Sequence, residues 1–285
     1  MTQLAAVAEA LDFVERHLKQ EIGVADMAHA AGYSLYHFCR VFNGLVHHTP
    51  YDYLMRRRLS QSAELLLESD WNVVDVAFEY QFNSHETYSR AFKRMFGLPP
   101  SRYRALQDEE GRAPDRRAWM PPLTVDYLRH INQNLDLTPD LLERDALPLV
   151  GLMSRIRDGA AVDVLWCTLG GMIGGADELR AHYGVAWQPD DGGGCFYLAA
   201  VAVPDAAAAG PLHPALVTKS IPPHAYARFV HRGSREELEL TRGYIYHTWL
   251  PQSDRRLACP LEIECHGRRT PDGEERRWEL LIPIE

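Results

Sequence analysis

Two groups of polar, basic and aromatic residues recur about 50 positions apart in the first hundred residues. In the first group the apolar residues Phe38, Val41 and Phe42 have the spacing of a buried helix face. The opposite face then consists of Leu35, Tyr36, Cys39 and Arg40. In the second group the exposed positions are His85, Glu86, Ser89, Arg90 and Lys93. An arginine on such a face can bind guanine through two parallel hydrogen bonds, which discriminate by about 1–3 kcal/mol, so these are candidate DNA-binding residues.

Some of these residues have alternative roles on a solvated surface. Arg40 is compatible with a helix-surface ion pair, although the equivalent Arg90 favours DNA contact. Glu86 is unfavourable beside phosphates unless it accepts a hydrogen bond from a cytosine amine, so the second group is expected mostly to hold the DNA backbone. His85 is as compatible with a solvated helix start as with a base contact. In the run RRR at 56–58, at most one side chain can reach phosphate, because three consecutive helical residues face three directions.

A pair of carboxylates near the C-terminus is the second candidate for chemistry. Glu262 and Glu264 lie two positions apart in LEIECH, so on a strand they point to the same side. If they are buried together they repel, and one tends to stay protonated unless a cationic ligand arrives. Aromatic rings also favour a cation, and the rings that could surround one are Trp166, Trp187, Tyr197, Phe229, Tyr246, Trp249 and Trp278. Of these, the candidate ligand-binding residues are Trp166, Tyr197, Phe229, Tyr246 and Trp249. The alternative is an edge strand with two solvated glutamates.

Motifs for other chemistry are missing from the sequence. The stretches GGMIGG and DGGGC lack the Lys-Ser/Thr of a phosphate-binding loop, and no GxSxG nucleophile elbow occurs. His47-His48 and Cys265-His266 are isolated pairs without the further ligands of a zinc site. We therefore predict no catalytic residues, no cofactor and no metal.

The elements that must position the first candidates are helices. Apolar residues recur at helical spacing in four segments, 4–18, 25–31, 35–46 and 50–66. Ser34 is a suitable N-cap, and Pro50 suits a first helical turn. Positions 26–53 then match positions 75–103 with a shift of 49 or 50 residues. The sequence therefore predicts two helix-turn-helix units joined by one long helix.

The composition changes after Leu106. Residues 108–135 begin with a charged, proline-bearing stretch without periodicity, which predicts a linker between a domain at 1–107 and a domain at 136–285. In the second domain we predict strands at 147–155, 195–203, 216–221, 225–231, 261–265 and 278–284, and helices at 160–172, 176–183 and 234–249. A weaker repeat, MSRIRDG and RFVHRGS, each before a helix with a tryptophan, predicts an α+β domain of two pseudo-symmetric halves.

Composition restricts the class of protein. The values of 46% hydrophobic and 24% charged residues exclude fibrous and wholly disordered chains. The net charge is -9, yet residues 34–104 carry a net charge of +2, which favours phosphate contacts modestly. Five cysteines without a CxxC pair favour a reducing compartment. Because acidic residues occupy the N-terminal stretch where a secretory signal would be basic and then apolar, we expect a cytoplasmic protein.

Three segments together resemble the DNA-binding domain of AraC/XylS-family transcription regulators. They are GYSLYHFCRVF, YDYLMRRRLSQSAELLL and VVDVAFEYQFNSHETYSRAFKRMFGLPPSRYR. This resemblance covers residues 1–107 and implies an all-α double helix-turn-helix that binds double-stranded DNA, with RNA polymerase as a further candidate partner. His47 and Gln81 depart from the family pattern, because glycine usually stands at those turns. Both residues are unfavourable there if φ is positive.

Residues 136–285 resemble the GyrI-like, or SOUL-type multidrug-binding, effector domain. The resemblance rests on IPPHAYARFVHRGS, HTWLP, PLEIECHG and LIPIE. It implies two pseudo-symmetric halves that enclose an aromatic cleft for small, often cationic or amphipathic, molecules, with a glutamate on a central strand. Glu262 matches that glutamate, whereas Glu264 stands where many members have tyrosine.

The resulting hypothesis is a bacterial-type, one-component transcription regulator that is not an enzyme. It would be controlled by a small hydrophobic effector, for which a cation is one candidate. Some domains of the GyrI type hydrolyse small electrophiles, so a hydrolase in which Glu262, with a nearby Tyr246 or His224, activates water is one alternative. A drug-sequestering protein with an attached DNA-binding domain is another. A DNA-reading repeat has little purpose on a dedicated hydrolase, which favours the regulator.

Overall fold

The computed structural model of the protein describes residues 2–110, 116–133, 135–156, 159–173, 181–187, 195–203, 213–266 and 277–285. The chain divides into two compact units. The first unit comprises Met1–Gln133 and Arg242–Gln252, and the second comprises Asn134–Thr241 and Ser253–Glu285. Among the described residues, no helix is both long and apolar enough to cross a membrane.

The first unit is built from helices. They are α1 (Gln3–His17), α2 (Val24–Ala30), α3 (Leu35–Val46), α4 (Pro50–Glu68), α5 (Val73–Glu79), α6 (His85–Phe96), α7 (Pro100–Glu110) and α8 (Val125–Gln133), with a 3-10 turn at Arg116–Ala118. The four helices expected between residues 4 and 66 are confirmed to within two positions at each end.

The repeat extends to the backbone dihedral angles. In the tight turn before α3, Gly32 has a φ of 69°, and in the turn before α6, Gln81 has a φ of 63°. At the ends of these two helices, His47 has a φ of 58° and Gly97 a φ of 79°. In both copies the chain therefore needs two left-handed residues, and each copy has glycine at only one of them. His47 and Gln81 occupy the left-handed conformation that their positions in the sequence suggested.

The helix starts differ between the copies. The Ser84 hydroxyl accepts a hydrogen bond from Thr87 N at 3.1 Å and so caps α6. Ser34 has the extended backbone of an N-cap, but its side chain makes no capping hydrogen bond. Ser34 thus stands at the N-cap position, as predicted, but its hydroxyl does not cap the helix. Thr49 caps α4 by accepting from Asp52 N at 3.1 Å.

Aromatic residues form the core of each helix-turn-helix. Phe42 of α3 is fully buried, and its ring lies 6.0 Å from that of Tyr53 on α4. Phe92 of α6 is also fully buried, with its ring 5.2 Å from that of Tyr103 on α7. Because these pairs are 50 positions apart, the same packing occurs twice.

The described part of the predicted linker is structured. Met120 is 1% exposed, and its N–H donates to Ser60 Oγ on α4 at 2.9 Å. In α8, Tyr127, Leu128 and Ile131 are buried. Residues 116–133 therefore belong to the helical core, contrary to the expectation of an unstructured connection.

The second unit contains one eight-stranded antiparallel sheet. Its strands are β1 (Asp140–Arg144), β2 (Leu147–Ile156), β3 (His182–Trp187), β4 (Cys195–Ala202), β5 (Val217–Ile221), β6 (His224–Arg232), β7 (Leu261–His266) and β8 (Arg277–Pro283). Helix α9 (Gly159–Ile173) follows β2, and α10 (Leu238–Tyr244) follows β6. The strand order is β1-β6-β8-β7-β3-β4-β2-β5.

The strand order confirms the two pseudo-symmetric halves. One half runs β2-β4-β3 and the other β6-β8-β7, and the halves meet where β3 pairs with β7. Strand β1 precedes the first half but pairs with β6, whereas β5 precedes the second half but pairs with β2. Each half thus contributes an edge strand to the other.

Three elements of the second domain differ from the prediction. Strand β1 was not predicted, because DLLER is short, charged at both ends and largely exposed. The helix predicted at 176–183 overlaps β3 at His182 and Tyr183, while its residues 176–180 lie outside the described residues. The helix predicted at 234–249 is α10 followed by a π-helical turn (Ile245–Trp249) and one α-helical turn (Leu250–Gln252).

Candidate DNA interface and ligand-binding site

Helix α3 presents its predicted polar face to solvent. Leu35 is 51% and Tyr36 81% exposed, which is a large exposure for such apolar side chains. Arg40 is exposed and Cys39 half-buried on the same face. Arg40 Nη2 lies 3.5 Å from His37 Nδ1, so the alternative of an ion pair for Arg40 finds no carboxylate among its recorded contacts. An exposed arginine next to exposed apolar groups suits guanine and thymine methyl contacts.

Helix α6 presents the equivalent face with different chemistry. Its residues are His85, Glu86, Ser89, Arg90 and Lys93, all exposed except the half-buried Ser89. His85 Nε2 and Ser89 Oγ are 3.3 Å apart. Hydrogen bonds from its own backbone N–H and from Ser84 lower the pKa of Glu86, as is usual for a carboxylate at a helix start.

The arginine run on α4 serves the interior of the unit. Arg57 is 3% exposed, and its Nη2 lies 2.7 Å from Glu15 Oε2 on α1. Arg58 is also buried and donates to the carbonyls of Leu18 and Gln20 at 2.9 and 2.7 Å, closing the C-terminal end of α1. Neither side chain is accessible to phosphate. Arg56, the third member of the run, pairs with Asp52 at 2.8 Å.

In the second unit, Glu264 lies within a group of aromatic residues. Glu264 is 4% exposed, and its Oε2 accepts a hydrogen bond from Tyr197 Oη at 2.8 Å. Tyr197 Oη in turn accepts from Trp166 Nε1 on α9 at 3.2 Å. The structure thus brings together three of the predicted ligand-binding residues: one carboxylate and two rings.

The His266 ring borders the same carboxylate and lies between two tryptophan rings. The His266 ring centroid lies 4.5 Å from Trp166 and 4.3 Å from Trp278. His266 Nε2 is 3.5 Å from Glu264 Oε2, at the outer limit of a hydrogen bond. Burial lowers the pKa of His266 by more than the neighbouring carboxylate raises it, which favours a neutral imidazole.

Gly184 on β3 makes this arrangement possible. It pairs with Glu264 across the two central strands. A Cβ atom on Gly184 would overlap the Tyr197 hydroxyl and would lie 2.8 Å from Glu264 Oε2. The missing side chain therefore leaves the space in which tyrosine and carboxylate meet.

Glu262 is buried on the same side of β7, opposite Ala186 of β3. Since β7 is a central strand and both glutamates are buried, the alternative of a solvated edge strand is wrong. Phe229 is fully buried on β6 and pairs with Leu280, which itself pairs with Glu264. Phe229 is thus a core residue on the same sheet face.

Tyr246 and Trp249 belong to the other unit. They lie on the segment Arg242–Gln252, where the Arg117 guanidinium carbon is 5.6 Å from the Tyr246 ring centroid. A ligand role for these two rings stays a prediction.

The sequence analysis named Trp278 among the candidate rings but missed His266 and Gly184 as neighbours of Glu264. His266 follows Glu262 and Glu264 at the same two-residue spacing, so strand periodicity alone places it on their face. Trp278 became a neighbour through the β7–β8 pairing, which places it opposite His266.

Comparisons with known proteins agree with the helical DNA-binding fold and with the sheet domain. Residues 27–106 match the family described as a helix-turn-helix domain, and residues 138–285 match the GyrI-like small molecule binding domain. The uncharacterized HTH-type transcriptional regulator YbfP of Bacillus subtilis is 36% identical over 101 residues, which are 35% of this chain and 34% of YbfP. The chain thus spans about a third of that relative's length.

Two other similarities cover most of the compared protein. The HTH-type transcriptional activator AarP of Providencia stuartii is 33% identical over 102 residues, which are 36% of this chain and 76% of AarP. The structure of SAV2435 bound to tetraphenylphosphonium covers 52% of this chain and 93% of its own, at 19% identity and a TM-score of 0.40. The chain belongs to the AraC/XylS family of regulators and carries a GyrI-like domain.

Proposed function

We propose that this AraC-family protein is a transcription regulator that reads duplex DNA with α3 and α6 and binds a small hydrophobic effector in its GyrI-like domain. The observation that carries the first part is the twofold occurrence of one exposed helix face, backed by the same left-handed turns and the same aromatic core. Helices presented in this way at the surface of a helix-turn-helix enter the major groove. Its site of action would be the cytoplasm, and RNA polymerase remains a candidate partner.

Selection of DNA from a random pool tests the DNA-binding part. The full chain is incubated with random duplexes at 150 mM salt, and bound sequences are amplified over several rounds. We expect enrichment of one sequence with two conserved blocks, because a protein that only neutralises phosphates would enrich none. Failure to enrich any sequence would contradict the proposal.

The effector part rests on Glu264. A carboxylate held at 4% exposure beside Trp166 and His266 attracts a hydrophobic cation more strongly than a solvated one, because little water screens it. Glu264, with its hydrogen bond from Tyr197, is therefore a better candidate for the charge than Glu262, which matches the family position.

Fluorescence titration with tetraphenylphosphonium, and with triphenylphosphine oxide as a neutral aromatic control, tests this assignment. Trp166 is the expected reporter, since its indole donates to Tyr197 in the cluster. Glu264→Gln should lower affinity for the cation about 10-fold and leave that for the neutral compound within about 2-fold. Glu262→Gln is the matched control. A larger effect of Glu262→Gln would return the role to the family position.

The same experiments separate a regulator from the two rivals. A hydrolase would convert small electrophiles during the titration, which mass spectrometry of the mixture detects. A sequestering protein would bind ligand but would show the same DNA affinity with and without it. We expect an unchanged ligand and a ligand-dependent DNA affinity.

A further inference from the structure

Residues 242–252 lie in sequence between two strands of the sheet domain, yet they belong to the helical unit. Thr248, on the π-helical turn, is 1% exposed. Its Oγ1 lies 3.1 Å from His48 Nε2 and 3.3 Å from Tyr127 Oη on α8. A few residues later, Gln252 Nε2 donates to His47 O at 2.6 Å. The segment therefore contacts the turn that ends the recognition helix α3.

His48 extends these contacts to the long helix. It is 2% exposed, and its Nδ1 lies 2.7 Å from Asp52 Oδ2 on α4. The same carboxylate oxygen accepts from Arg56 Nε at 2.8 Å. A buried imidazole held between a hydroxyl and a carboxylate has a fixed ring orientation, so the position of Thr248 bears directly on the α3–α4 turn.

The other end of the same helical segment is held in the sheet domain. Thr241 is fully buried, and its Oγ1 lies 2.8 Å from His231 Nδ1 on β6. His231 pairs across strands with Trp278, whose ring lies against His266. Helix α10 thus begins in the second unit, where Thr241 contacts β6, and the chain continues from it into segment 242–252 of the first unit.

The link between the two ends is a π-helical turn, Ile245–Trp249, in which the N–H of Leu250 bonds to the carbonyl of Ile245. Pro251 follows and cannot donate a backbone hydrogen bond. Single π-helical turns are rare and are enriched at functional sites. Such a turn has an alternative α-helical bonding pattern one residue away, which would shift Thr248 relative to His48.

We propose that segment 242–252 is a positioning element for α3, through which the state of the GyrI-like domain changes DNA reading at the α3 half of the operator and not at the α6 half. This inference rests on the proposed DNA binding. It makes Thr248 and Thr241 positioning residues, one at each end of a continuous helical connection, and assigns neither of them a contact with DNA or ligand.

Substitution of Thr248 in the full chain tests the near end. The operator is the DNA sequence enriched by selection. Its α3 half is the half at which Arg40→Ala relaxes base preference. In one derivative of the operator the α3 half is scrambled, and in a second derivative the α6 half is scrambled. Thr248→Val keeps the shape but removes the hydroxyl shared by His48 and Tyr127. We expect about 10-fold weaker binding to the operator and to the derivative with an intact α3 half, and less than about 2-fold change where that half is scrambled. Thr248→Ser should restore wild-type binding.

Ser62→Ala is the matched control in the second helix-turn-helix. Ser62 is fully buried on α4 and accepts a hydrogen bond from Tyr88 Oη of α6 at 3.1 Å. Its removal should weaken only sequences with an intact α6 half. Equal losses on both derivatives for Thr248→Val, or no loss in a folded variant as judged by circular dichroism, would overturn the positioning role.

Thr241→Val tests the far end without requiring a known effector. We expect at least a 5-fold change in affinity at the α3 half, although Thr241 lies in the other unit. The control is Thr168→Val on α9, where an exposed hydroxyl bonds only to its own helix, to Val164 O at 2.7 Å, among the recorded contacts. Thr241→Val without any effect on DNA affinity would overturn the transmission. If the wild-type chain selects no DNA, the proposed function itself fails, which is a different result.

Discussion

The two helix-turn-helix copies share their backbone but are held by different parts of the chain. In the first copy, Asn132 of α8 donates to Leu45 O at 2.9 Å at the end of α3, and Thr248 contacts His48 just beyond it. In the second copy, Arg104 of α7 donates to Leu66 O at 2.8 Å and Trp71 O at 2.6 Å, within its own repeat and the end of α4. Local sequence sets the turns of both copies, whereas segments distant in sequence support the first copy.

The exposed faces of the copies also differ. The first shows apolar and aromatic groups beside Arg40, which suits base contacts. The second shows His85 and Glu86 beside basic residues, which suits contacts mostly to the DNA backbone together with a weaker base preference. A duplicated backbone can thus serve two tasks when the surface residues diverge.

The largest expected effect comes from removing the equivalent core rings. Phe42→Ala and Phe92→Ala should each destabilise the helical unit by about 3–5 kcal/mol, because each ring is fully buried. Since α4 packs in both copies, we expect the whole unit to unfold in one calorimetric transition for both variants. Two separate transitions would show that the copies fold independently.

Acid should affect the support of the first copy. Burial, followed by the nearby charges of His48 and Arg56, lowers the pKa of His247 to about 4, although a hydrogen bond with the Arg117 backbone raises it. The unfolded chain binds this proton near pH 6.5, so the stability that neutral His247 contributes is complete above pH 6.5 and is lost as the pH falls towards 4. At pH 5 the loss is about 2 kcal/mol.

Urea unfolding at pH 7.5 and pH 5 of wild type and His247→Gln measures this contribution. The variant should lose less stability between the two pH values than the wild type. An equal loss in both proteins would show that His247 does not titrate as its burial implies.

The two surfaces should respond differently to loss of a basic residue. Arg40→Ala should weaken the selected operator by about 1–3 kcal/mol while leaving binding to random DNA nearly intact. Lys93→Ala should weaken all sequences alike, as a phosphate contact does. Quantitative competition with random DNA provides the readout. If Arg40→Ala lowered the affinity for specific and for random DNA equally, Arg40 would contact the DNA backbone and not a base.

The smallest effect concerns the turns. Gly32→Ala should destabilise by about 1 kcal/mol through its φ alone, because no atom lies within 4 Å of the added Cβ. Gln81→Gly should stabilise by about 0.5 kcal/mol, since relief of the left-handed conformation exceeds the loss of its hydrogen bond to Lys19 O. Chemical denaturation checks both signs. A destabilising Gln81→Gly would mean that this side-chain contact dominates.

Helical periodicity and repeat spacing were sufficient to predict α1–α6 and both turns, because those features are local. Helix α8 was missed since its apolar residues follow a proline-rich stretch, and β3 because the residues before it have helical composition. For the site, the sequence predicted two glutamates on one face, but Gly184 and Trp278 reach Glu264 only through strand pairing. No local sequence pattern predicts that strand pairing. None predicts either that residues 242–252 belong to the helical unit.

Footprinting of the selected operator by the full chain tests the central claim most directly, namely that both copies read one duplex. We expect one chain to protect an asymmetric site of about 20 base pairs, with two major-groove segments about 34 Å apart on one face of the DNA. The stoichiometry follows from titration at operator concentrations well above Kd. Protection of a single segment, or of a palindrome that requires two chains, would contradict the account.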